Sequence, residues 1–119
     1  EEPRYNYQAA RMFIGKNDLA NALKYFEKTA ELDPSYKLVY SEIAKTYLRM
    51  NDGIKAIKYF RKSMELNPEN PSPANNLAVI YMSMGKFEQA KDILEGQIKK
   101  HPENAALRQN YEECLKNLK

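Results

Sequence analysis

The sequence has no tryptophan, one cysteine, one histidine, four glycines and six prolines. Each scarcity removes a class of answer. Cys114 alone closes no internal disulfide, and one cysteine with one histidine does not complete a metal site, so neither a disulfide framework nor a bound metal or other cofactor is expected. A membrane-spanning helix requires about 18 or more consecutive apolar residues, and no segment approaches that. Nor does a charged start lead into an apolar stretch and a small-residue cleavage site, the form of a signal peptide. Direct membrane insertion is therefore not expected. A chain that opens Glu1-Glu2-Pro3 reads as a processed product or a piece of something longer, and a cytoplasmic location is the default expectation.

The hydrophobic share is 43% and the charged share 29%, values of an ordinary globular chain rather than a disordered one. At 119 residues it can bury one modest core, so 1–119 is expected to form one domain. The net charge of +3 comes from 19 basic and 16 acidic residues. The two signs are interspersed along the chain instead of gathering in a basic stripe, so no nucleic-acid partner is indicated.

What the sequence does have is a period. Pro34, Pro68 and Pro102 lie 34 residues apart, each after a helical pattern that a missing donor and a fixed φ would end. Ala10, Ala44 and Ala78 keep the same step, as do Ala22, Ala56 and Ala90, which suits helices crossing so closely that only a methyl group fits. Phe13, Tyr47 and Tyr81 in the first helix of each unit, and Phe26, Phe60 and Leu94 in the second, are the expected large core partners. Asn17, Asn51 and Gly85 fall where a helix must leave through a left-handed conformation. Asp18 and Asp52 suit the N-cap of the second helix, and Lys86 breaks that series.

The spacing predicts about seven helices, near 4–15, 19–32, 36–49, 53–66, 73–84, 87–100 and 104–117. The repeats are approximately 3–36, 37–70 and 71–104. The last helix, about 104–117, has Leu107, Tyr111, Leu115 and Leu118 on one side and polar residues on the other, as a cap on an array requires.

These series resemble the tetratricopeptide repeat family. The second unit matches most closely through Tyr40, Ile43, Ala44, Tyr47, Ala56, Phe60 and Pro68. The third follows through Leu77, Ala78, Tyr81, Gly85, Ala90 and Pro102, and the first is looser, with Asn6 and Ala9 where bulkier residues are usual. The resemblance covers nearly the whole chain and implies an all-α, right-handed superhelix of antiparallel helical hairpins, a solenoid whose first helices line a concave groove. Carried onto this sequence, the groove positions are Tyr7, Ser41, Asn75 and Gln109; Gln8, Glu42, Asn76 and Asn110; Arg11, Lys45, Val79 and Glu113; and Ile14, Leu48 and Met82. The amides and carboxylate of the second row suit the backbone of an extended chain, because Asn and Gln each donate and accept. Arg11 and Lys45 suit an acidic stretch. Ile14, Leu48 and Met82 serve either as an apolar strip or as core.

Some members of the family grip a terminal carboxylate with a basic and amide clamp. Here the matching positions are Tyr7, Arg11, Glu42, Ser72 and Asn76, and Glu42 repels such a tail. Catalysis needs a nucleophile with its base, paired carboxylates or converging metal ligands, and no such set can be built. The expected function is a non-catalytic module that binds a protein or peptide segment in the groove as receptor or scaffold. The alternative is self-assembly into a homo-oligomer or packing within a longer protein, suggested by Tyr5 and Tyr7 ahead of the first full core series. The partner's footprint is expected to centre on hairpins two and three, with Lys45→Glu more damaging than Lys58→Glu.

Overall fold

A computed structural model of the chain describes residues 2–118. Among them are seven helices and no strand: α1 (Pro3–Gly15), α2 (Leu19–Leu32), α3 (Val39–Arg49), α4 (Gly53–Leu66), α5 (Ser72–Ser83), α6 (Phe87–Lys100) and α7 (Ala105–Asn117). The chain divides into two compact units, one up to Asn67 and one from Pro68. The first holds α1 to α4 and the second α5 to α7.

Local chemistry explains the ends. Asn17 and Asn51 adopt φ of 58° and 63°, and Gly85 a φ of 77°, so the left-handed exits fall on the three positions that the period marks. The Asp18 carboxylate accepts from the Asn21 amide and the Asp52 carboxylate from the Lys55 amide, capping α2 and α4. Lys86, at the same place before α6, offers no side-chain cap. Asp33, Asn67 and His101 end α2, α4 and α6 with φ of −144°, −140° and −133°, the extended backbone that a following proline imposes.

One boundary differs by more than a residue. Helix α3 starts at Val39, not near 36. The Asp33 carboxylate accepts from both the Ser35 amide and its hydroxyl, and the Tyr36 and Val39 amides donate to the Asp33 and Tyr36 carbonyls. The chain thus turns twice before the helix begins, which frees the Tyr36 ring to pack 5.2 Å from Tyr7.

In the first unit the core gathers Tyr7, Ala10, Ala22, Phe26, Val39, Tyr40 and Ile43. Ala44, Ala56 and Phe60 are also fully buried. Removing an aromatic side chain from such a site costs about 3–5 kcal/mol. Asn6 does not leave the first hairpin open: it is buried and its amide donates to the Glu2 carbonyl. In the second unit Leu77, Ala78, Ala90, Leu94, Leu107 and Cys114 are fully buried. The close helix crossings therefore fall where the two alanine series put them.

Candidate functional site

The first unit presents the exposed side of α1 beside α3. Residues 4, 7, 8 and 11 share that side because three and four residues bring a helix round to nearly the same direction. With Met12 and the ring of Tyr36 from the 33–38 turn, Arg4, Tyr7, Gln8 and Arg11 line a recess of about 540 Å³. Tyr7 is both wall and core: only 8% of it is exposed, and its ring also meets Phe26 at 5.7 Å. Arg11 lies beside its hydroxyl, and Glu42 of α3 is near enough for its charge to act on both. Burial is the main influence raising the Tyr7 pKa, with the Glu42 charge adding to it and Arg11 opposing it. The Arg11 pKa is raised by the neighbouring Tyr7 hydroxyl and by Glu42, so the guanidinium keeps its charge at the mouth of the recess.

Gln8, Arg11 and Lys45 are exposed, while Ser41 and Glu42 are half-buried. The Ser41 hydroxyl turns back to the Leu38 carbonyl, at 3.3 Å. Leu48 is exposed on α3. Ile14, the candidate for either strip or core, packs against the core of its own unit.

The second unit has its own candidate residues. Asn75, Asn76, Met82 and Asn110 are half-buried, and Val79 and Gln109 are exposed. The Asn110 side-chain amide donates to the Asn75 side-chain oxygen at 2.9 Å, tying α7 to α5. One donor of Asn110 is therefore committed inside the fold, and the Asn76 side chain has no hydrogen-bond partner within it among the described residues. Sequence spacing placed Asn75 and Asn110 in different rows, so this pair was not foreseen. The two residues are 35 apart, one more than the repeat, which brings them onto facing helices.

No His, Cys, Asp and Glu group among the described residues is arranged to hold a metal ion. No described helix is long and apolar enough to cross a membrane. The Cys114 thiol is buried, and its pKa is pushed up first by burial and then by Glu113, the reverse of what an attacking thiolate needs.

The profile described as tetratricopeptide repeat matches residues 50–110, and one described as regulator of microtubule dynamics protein 1-3 matches residues 4–77. No curated protein matches the sequence. Among solved structures, the first tetratricopeptide repeat domain of Spaghetti (RPAP3), bound to an HSP90 peptide, SRMEEVD, is similar with a TM-score of 0.87 and 15% identity, over 98% of this chain and 93% of that one. The Sgt2 repeat domain from Aspergillus fumigatus gives 0.83 and 14%, over 98% and 78%. Yeast Tom70 gives 0.87 and 20%, over 98% of this chain and 24% of its own length. At these identities the likeness shows the fold: an all-α helical-hairpin solenoid.

Proposed function

The chain belongs to the tetratricopeptide repeat family of protein-interaction modules, and on that premise we propose that it is a non-catalytic receptor or scaffold that takes a peptide segment along the exposed side of α1 and α3. The observation that carries this reading is the recess of about 540 Å³ lined by Arg4, Arg11 and the Tyr7 and Tyr36 rings. A pocket rimmed by Arg4, Gln8, Arg11 and two tyrosine rings offers donors to a carbonyl or carboxylate and apolar ring surface to the stem that carries it.

Glu42 sets the specificity. It sits where a terminal carboxylate would otherwise be held, so the site favours an internal side chain of a peptide over a free acidic end. Lys45 and Leu48, exposed further along α3, extend the same contact with a charge and an apolar surface. In the second unit Asn76, Val79, Met82 and Gln109 are the corresponding contact residues, with Asn75 and Asn110 mainly holding α5 to α7.

The test is to select peptides from a displayed random library on the chain and map the tightest by amide chemical shifts. Signals of Gln8, Arg11, Tyr36 and Lys45 should move, and Arg11→Ala should weaken binding by about 1.5 kcal/mol, the lower range for a bond to a charged group. Shifts confined to α2 and α4, with affinity unchanged in Arg11→Ala, would remove this assignment. A second reading, self-assembly, draws on Tyr5 and Met12, which stand 60% and 66% exposed on α1. Light scattering across a concentration series decides it, since a monomer at every concentration excludes it.

A further inference from the structure

The outer side of α4 carries a second surface that the peptide site does not use. Lys55, Lys58 and Lys62 are spaced by three and then four residues, so they form one stripe along the helix. Each ammonium group lies over a tyrosine ring: Lys55 over Tyr47 at 5.3 Å, Lys58 over Tyr59 at 5.4 Å and Lys62 over Tyr40 at 5.2 Å. The rings are themselves ordered. Tyr59 lies 5.7 Å from Tyr47 and 6.4 Å from Tyr40, with interplanar angles of 19° and 11°. A lysine on an open surface must be ordered when a partner binds, whereas these three are already held by the attraction of a cation to a ring face.

Two further features point outward. Lys55 stands in the first turn of α4, where the positive end of the helix dipole disfavours cations, and α4 has no acidic residue there. The Asp52 cap lies 4.0 Å from Lys55 and offsets part of that; an anionic partner would offset the rest. Ile54, beside the stripe at the same end, is 71% exposed and offers an apolar anchor.

We propose that the outer face of α4 docks an acidic polypeptide segment, whose carboxylates meet Lys55, Lys58 and Lys62 while an apolar side chain covers Ile54. The neighbouring recess of about 400 Å³ has Glu27 and Glu31 on its α2 wall and Lys62 opposite. Those two carboxylates repel an acidic segment from α2 and confine it to the α4 edge. A nucleic acid is less well served, because the tyrosine faces on which bases would stack already carry lysines. An anionic membrane requires a broader basic face than one bordered by glutamates.

The probe is a labelled helical peptide of about four turns, rich in glutamate with a leucine in each turn, titrated at moderate salt so that long-range attraction is screened. Its binding should shift α4 amide signals. Lys58→Glu with Lys62→Glu should weaken it at least tenfold and Ile54→Ala about threefold, a smaller apolar loss, while Lys100→Ala, an exposed lysine of α6, leaves it unchanged. Equal affinity in the double lysine variant, with helicity intact, would overturn the proposal. So would tighter binding of an oligothymidylate or of phosphatidylserine vesicles than of the peptide. Because the α1–α3 site is tested by Arg11→Ala with selected peptides and this surface by α4 variants and α4 amide signals, failure of either leaves the other result standing.

Discussion

Up to Asn67 the helices are locked together largely by aromatic rings; from Pro68 onward a single buried ring, Tyr81, joins alanine, leucine, Ile80 and an amide pair. Tyr7, Phe26 and Tyr36 meet in the first unit, Phe13 stacks on Tyr25 at 5.5 Å, and Tyr40, Tyr59 and Tyr47 form a row. In the second unit Leu77, Leu94 and Leu107 fill the interior, Asn110 bonds Asn75, and the Tyr111 hydroxyl donates to Glu95 at 2.7 Å. Rings do more than occupy volume. Their faces hold lysines and the Tyr47 hydroxyl donates to Glu27 at 3.3 Å, so the first unit orders charge at its surface.

The comparison is broken most strongly in the two interiors. Phe26→Ala should destabilise the first unit by about 3–5 kcal/mol and Leu94→Ala the second by about 2–5 kcal/mol, measured as urea midpoints with unchanged slopes. If Leu94→Ala cost clearly more than Phe26→Ala, aromatic packing would not be what distinguishes the first unit. Next comes Gly96, in the middle of α6, where an added Cβ meets nothing within 4 Å. Gly96→Ala should therefore stabilise by about 1 kcal/mol through helix propensity alone. A loss of stability would show that the backbone there needs glycine.

The caps sharpen the contrast further. Removing the α4 cap with Asp52→Ala should cost about 1 kcal/mol, while Lys86→Asp, which supplies α6 with the cap it lacks, should gain up to about that much. Thermal melts of both variants test the pair together, and equal changes of the same sign would contradict it. The smallest effect is one of pH. The Tyr47 pKa is raised from 10.0 to about 12, first by burial, then by the Glu27 charge and the hydrogen bond to Glu27. The folded state thus holds a proton that the unfolded state releases, so this contribution is complete below pH 10 and is lost as pH rises toward 12. Tyr47→Phe should flatten part of the fall in melting temperature across that window, and an identical pH profile would mean that the hydroxyl does not titrate as described.

Much of this was legible beforehand because helix ends and close crossings are local. A left-handed exit needs Asn or Gly at one position, a cap is best served by Asp at the next, and a crossing that admits only a methyl group needs alanine; each requirement is written within a few residues, and all repeat every 34 except the cap, which Lys86 breaks. Helices α2, α4 and α6 accordingly start and stop where the pattern puts them. The start of α3 was misplaced because Asp33 has two ways to satisfy its carboxylate, and the turn that bonds Ser35 competes with an immediate helix.

The sequence by itself determined the all-α class, the period, the turns and the alanine crossings, since those follow from backbone conformation and from which side of a helix is apolar. Only the tertiary structure decided what the side chains do: that Tyr7 is a core residue, that Asn110 spends a donor on Asn75, and that three lysines lie on three tyrosines. Periodicity says which side of a helix a residue is on. It does not say which rotamer a long side chain adopts or which partner from another helix reaches it first, because those depend on distances set after the helices have packed.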